Sequence, residues 1–145
     1  MTTIGNFMAG DHRACDDLFA DAEAAAARGD WRDAEARCGA FARAMERHFS
    51  WEEETLFPAF EEATGMTEGP TVMMRMEHAE MRELMAAMQA AAKARAADDY
   101  LGAGETLVVL MQQHNMKEEQ ILYPLMDRRL GGEADALLAR LASTA

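Results

Sequence analysis

The sequence predicts an all-α fold: an up-down-up-down four-helix bundle built from two repeated αα-hairpins, followed by a short C-terminal helix. Three observations carry this. Ala-, Glu-, Met- and Leu-rich segments with apolar residues at steps of three and four fill most of the chain. The three prolines, at 58, 70 and 124, and the glycines Gly65, Gly69, Gly131 and Gly132 fall between those segments rather than inside them. The second half of the chain repeats the first at an offset of 66 residues.

The elements follow in order. Ile4, Met8, His12, Cys15, Phe19 and Ala22 draw one face of a first helix ending near Gly29. Asp30, three residues before Asp33, is the expected cap of a second helix through Phe41, Met45, His48, Glu52 and Leu56, which Pro58 should end or kink. Gly65 to Thr71 reads as a loop, with Pro70 suited to the first turn of a third helix. That helix carries Met74, His78, Met81, Leu84, Met85 and Met88 and fades over 93–99. Leu107, Leu110, Met111, His114, Glu118 and Leu122 mark a fourth, running to Pro124, and residues 133–141 a short fifth. Four long helices with short connections make the antiparallel bundle the default packing.

Length and charge bound the function. A chain of 145 residues and 16.0 kDa, half of it hydrophobic, is expected to form one domain over 1–145, with its core in 4–130 and repeat halves of about 4–65 and 70–131. Fourteen basic against 26 acidic residues give a net charge of −12, which argues against nucleic acid and anionic membrane surfaces as partners. No run approaches the roughly 20 apolar residues of a membrane span, and residues 1–10 lack the basic and apolar regions of a secretory signal. The expected location is cytoplasmic.

The chemistry lies in the repeat. His12 and His78 are 66 residues apart, as are His48 and His114, Glu52 and Glu118, Glu53 and Glu119, Phe57 and Tyr123, and Pro58 and Pro124. Each half thus places one His on its first helix and a His-x-x-x-Glu pair on its second. Residues four apart share a helix face about 6 Å apart along the axis, so each pair points into the apolar stripe. Four imidazoles and two carboxylates would then converge in mid-bundle, and burying them without a cation is costly. One His on an apolar face, or one His-x-x-x-Glu pair, is usually structural. The full set in register points to a di-metal centre, with two His per ion and Glu52 and Glu118 bridging. Six-coordinate iron held this way keeps positions for an oxo or hydroxo bridge, water or a small ligand.

At these residues the chain resembles the hemerythrin-like (HHE cation-binding) family. The resemblance rests on DHRACDDLF at 11–19, HFSWEEETLFP at 48–58, EHAEMRELM at 77–85 and HNMKEEQILYP at 114–124, and spans about Ile4 to Leu130. It implies a four-helix bundle with a non-haem pair of iron ions, His12, His48, His78 and His114 matching the ligand histidines and Glu52 and Glu118 the bridging carboxylates. Two departures stand out. The oxygen-carrying members have a further His four residues after the third-helix His, where this chain has Arg82. Their last carboxylate is an Asp five residues after the fourth-helix His; here Glu118 stands at +4 and Glu119 at +5, and both stay open. Losing the fifth His is expected to open a coordination position and make the site more symmetric. Family analogy then favours binding or reaction with O2, NO or peroxide in redox, iron or nitrosative stress handling. An oxygen or iron carrier, store or sensor without turnover is the alternative.

Lesser features carry smaller expectations. Arg82 and its mate Asp16 lie four residues past a ligand His, placed either to orient ligands or as partly exposed charges. Tyr123 and Phe57 suit plugs at the bundle end, with Tyr123 as a ligand the lesser alternative. The methionines before each His suit a polarisable apolar pocket better than a Cu(I) site. Cys15 reads as a buried thiol rather than a redox group, and its axial offset of about 10 Å from Cys38 is beyond disulfide reach. Beyond Glu52, the acidic runs 52–54 and 61–62 read as solvated faces, with Glu53 and Glu54 as possible aids to metal entry. No dedicated proton donor is evident.

Overall fold

In the computed structural model, which describes residues 2–144, the helices are α1 (Ile4–Ala27), α2 (Trp31–Trp51), α3 (Phe57–Thr64), α4 (Pro70–Ala94), α5 (Ala97–Lys117), α6 (Tyr123–Leu130) and α7 (Ala134–Ser143). No strand occurs among the described residues. α1 packs on α2, α4 on α5 and α2 on α4, while α6 touches both α1 and α3. Asp30 caps α2 by accepting the Asp33 N–H, as its spacing predicts. Pro70 opens α4. The two hairpin turns correspond: Gly29 (φ 75°) and its repeat mate Arg95 (φ 57°) both take the left-handed conformation.

The second and fourth rods do not stop at their prolines. Each passes through one π-helical turn, Glu52–Leu56 and Glu118–Leu122, and continues as α3 or α6. Proline brings no N–H to the ladder, so the α register must break before it. The wider turn absorbs the break: the Phe57 N–H reaches back five residues to the Glu52 carbonyl, and the Tyr123 N–H to Glu118. The Glu53 carbonyl takes the Arg75 guanidinium at 3.4 Å instead of a backbone donor. One extra residue in the turn lets two consecutive glutamates approach the same region.

The core is split into two apolar layers. One holds Phe19, Phe41, Met45, Met81, Met85, Met88, Leu107 and Met111; the other holds Met8, Leu56, Phe57, Phe60, Met74, Leu122, Tyr123 and Met126, closed by Leu137 and Leu141 of α7. α1 and α4 run from the second layer to the first, and α2 and α5 run back, which is the expected up-down-up-down order. Asp127 of α6 ties the start of α1 by accepting the Ile4 and Gly5 N–H groups at 2.9 and 3.2 Å. A side chain at Gly5 would meet that carboxylate at 3.1 Å. Between the apolar layers lies the polar plane of the histidines.

Candidate metal centre

Six buried polar side chains meet in that plane: His12, His48, Glu52, His78, His114 and Glu118, none more than 5% exposed. They come from α1, α2, α4, α5 and the two π turns. Glu118 lies between the hairpins, with Oε1 3.1 Å from His12 Nε2 and Oε2 3.3 Å from His114 Nε2. Glu52 Oε1 is 3.0 Å from His78 Nε2 and 3.6 Å from His48 Nε2. The His12 and His48 rings are 4.6 Å apart and those of His78 and His114 4.9 Å.

Two groups of donor atoms result, each drawn together within 4.8 Å. One contains Glu52, His78, His114 and Glu118; the other His12, His48 and Glu118. They share Glu118. Glu52 Oε1, His78 Nε2, His114 Nε2 and Glu118 Oε2 are buried without any hydrogen-bond partner. Native interiors leave few such atoms, and four facing one point fit a bound cation as their missing partner.

A second ring of carboxylates holds the imidazoles from behind. Each His directs Nδ1 at one of them: His12 to Glu119 at 2.7 Å, His48 to Asp11 at 2.8 Å, His78 to Glu53 at 2.7 Å and His114 to Glu77 at 2.8 Å. An Nδ1–H donated outward leaves Nε2 as the inward donor atom, the arrangement a metal-ligating histidine needs. Three of the four carboxylates have a cation behind them: Arg47 at Asp11, Arg82 at Glu53 and Lys117 at Glu77. Glu119 has none among the described residues.

This outer ring is where sequence reasoning fell short. Asp11 and Glu77 precede the first His of each half and share the 66-residue offset, so the repeat contained a signal for them. Glu53 is not a solvated residue: Arg82 grips it through two contacts of 2.9 and 3.0 Å, and it in turn holds His78. Arg82 thus holds one of the inward-facing histidines at one remove, through Glu53. Its mate Asp16 is exposed and makes no hydrogen bond to any of the six among the described residues. Glu119 bonds the outer nitrogen of His12 and lies outside both donor groups, which leaves Glu118 as the carboxylate facing the centre.

Tyr123 does more than plug the bundle end. Its hydroxyl lies 2.6 Å from Glu52 Oε2, 2.9 Å from Glu118 Oε1, and 3.3 and 3.4 Å from His12 and His48 Nε2. A proton donor therefore does face the centre, contrary to the sequence-based expectation. Phe57, at the matching place, only stacks on His78 at 5.8 Å. This Tyr/Phe difference and the unequal donor groups make the centre less symmetric than losing a fifth His predicts.

The charges follow from burial and proximity. Burial and the neighbouring Glu118 charge hold Glu52 well above the usual carboxylate range, whereas Glu118, despite burial, is pulled well below it by the closeness of Glu52, His114 and His12. Burial alone would lower His12 and His114, but their contacts with Glu118 raise both. Burial dominates at His48, which is lowered, and with His114 nearby takes His78 down to about 4. Burial, with Asp11 beside it, pushes the Cys15 thiol up to about 12, so it is inert as a nucleophile. Cys15 and Cys38 are both buried and unbridged.

A helical bundle whose mid-plane buries histidines and carboxylates around unpartnered donor atoms is a metal-binding domain. The Hemerythrin HHE cation binding domain model matches residues 3–126, and the chain belongs to that family. No curated protein and no solved structure matches the chain. No helix among the described residues is long and apolar enough to cross a membrane.

Proposed function

We propose that the protein is a non-haem di-iron protein whose centre binds or reacts with O2, NO or peroxide in redox, iron or nitrosative stress handling. The observation that carries this reading is the pair of adjacent donor groups sharing Glu118, with four buried atoms lacking any other partner. His78, His114, Glu52 and Glu118 would hold one ion; His12, His48 and Glu118 would hold the other. Mixed imidazole and carboxylate donors suit iron. Such a pair supplies one-electron redox steps and exchangeable positions for a small ligand.

The chain's own residues set the conditions. The apolar layers above and below exclude bulk water. Asp11, Glu53, Glu77 and Glu119 fix the imidazole orientation. Tyr123 holds a proton beside the group with fewer protein donors, placed to deliver it where negative charge develops on a bound ligand. The dry flanks also fit reversible binding without turnover, and a carrier, store or sensor is the second reading.

Iron-loaded protein, reduced and then mixed separately with O2, NO and H2O2, separates these. Rapid H2O2 loss or an NO complex supports the reactive reading, while a stable, reversible O2 adduct assigns the chain to carriage. Spectra unmoved by all three contradict both. Tyr123→Phe, which copies Phe57, is expected to keep the full metal content while slowing any proton-dependent peroxide step on the order of 10²-fold.

A further inference from the structure

The repeat allows the two long seams of the bundle to be compared position by position, and they are not closed alike. Across α2 and α4, Arg82 forms a forked ion pair with Glu46 at 2.8–3.2 Å and also grips Glu53. Its guanidinium lies 5.0 Å above the Phe49 ring, which stacks on His78 at 4.1 Å. Phe49 is 1% exposed and stops this side of the centre. The groove outside it, about 350 Å³ and bordered by Arg82, Glu46 and Met85, ends on that latch.

Across α1 and α5 each closing group is replaced. The residues 66 positions away are Asp16 for Arg82, Gln112 for Glu46 and Asn115 for Phe49. Asp16 and Gln112 are both exposed and make no hydrogen bond to each other among the described residues. Between them lies a groove of about 240 Å³, lined also by Phe19, Val108 and Met111, the last of which stands about one helical turn before His114 on α5. Glu119, the one outer carboxylate with no cation behind it, stands on this side holding His12. His12 belongs to the donor group with three protein ligands rather than four.

We propose that small uncharged ligands reach the centre through the α1–α5 seam, between Asp16, Gln112 and Asn115, and that Arg82, Glu46 and Phe49 keep the opposite seam shut. The route meets the centre on the side of the smaller donor group, where the chain supplies one donor residue fewer and a bound ion would have room for an incoming molecule. Displacement of the unbranched Met111 side chain, rather than movement of a helix, gives passage. The acidic mouth carries no basic residue from the lining and so favours neutral molecules over anions.

This rests on the metal-centre reading, and the test separates the two. NO association with the reduced, iron-loaded protein is followed by stopped flow in Asp16→Arg/Gln112→Glu, which rebuilds the opposite ion pair, and in Asn115→Phe, which rebuilds the stopper. Both variants are expected to slow association and dissociation by the same factor, tenfold or more, with Kd unchanged, because a gate alters passage and not the bound state. Xenon-pressurised crystals read the same seam without reference to metal: xenon is expected between Phe19 and Met111 in the parent and absent from the variants. An unchanged association rate in either folded variant, or xenon on the α2–α4 side alone, would overturn the proposal. Failure of the parent to bind iron, with xenon still in the α1–α5 seam, counts against the metal reading and leaves the route supported.

Discussion

Replacing Glu118 by Ala is expected to empty both metal positions at once, whereas Glu52→Ala should spare the group formed by His12, His48 and Glu118. Glu118 is the one side chain common to the two donor groups, with one oxygen toward His12 and the other toward His114. Its loss removes a donor from each ion and leaves two raised-pKa imidazoles without their counter-charge in a buried plane. Ions bound only by the folded state stabilise it by about 4 kcal/mol when free metal is about a thousandfold above Kd. For a domain of this size that corresponds to a fall in Tm of roughly 10 °C on losing the metal. Metal analysis after gel filtration, with thermal melts at fixed free metal, reads both effects. A variant that keeps two ions and the parent Tm would show that Glu118 is not shared.

Metal affinity is expected to fall steeply with acid, by roughly two to three decades per pH unit between about pH 5 and 6.5. The sign follows from which groups hold protons when the metal arrives. His12 and His114 are raised above the ordinary histidine value, so both are protonated in that window, and Glu52, raised well above the carboxylate range, keeps its proton further up the pH scale than a free carboxylate. Each must lose its proton to become a ligand, so binding releases about two to three protons, each contributing a factor of ten per pH unit. His78, at about 4, is already neutral and contributes nothing to this slope, and His48, also lowered, holds its proton less firmly than an ordinary histidine. The metal-free chain behaves differently. A histidine lowered in the fold stabilises it above its unfolded value near 6.5, and that contribution is lost as pH falls toward the folded value. For His78 the loss approaches about 3 kcal/mol by pH 4, opposed by His12 and His114, whose stabilisation is present below 6.5 and fades as pH rises through their raised values. Calorimetric titrations in buffers of different ionisation enthalpy count the released protons. Proton release near zero across the window would contradict the charge states assigned to the plane.

The bundle and its six inward groups were legible because both are written in periodicity. Apolar steps of three and four gave the helices, and a repeat at one offset brought all four histidines into register. What the spacing did not carry was the backbone detour at the prolines. A terminating or kinking proline and a proline after a π turn have the same local sequence, and only the packing of α3 and α6 onto the bundle decides between them. That detour places Glu53 and Glu119 beside the outer nitrogens of His78 and His12. Tyr123 was missed as a proton donor for a related reason: its place in the repeat marks it as equivalent to Phe57, and the difference lies in one hydroxyl. The same repeat, compared for where it is broken rather than kept, is what distinguishes the two seams.

The most direct measurement of the central claim is anomalous diffraction at the iron edge from crystals of iron-loaded protein. Two peaks are expected in the mid-bundle plane, one bounded by His78, His114, Glu52 and Glu118 and one by His12, His48 and Glu118, sharing the Glu118 carboxylate. A single peak, or iron held only at surface carboxylates with the six buried groups unligated, would contradict a paired-iron centre.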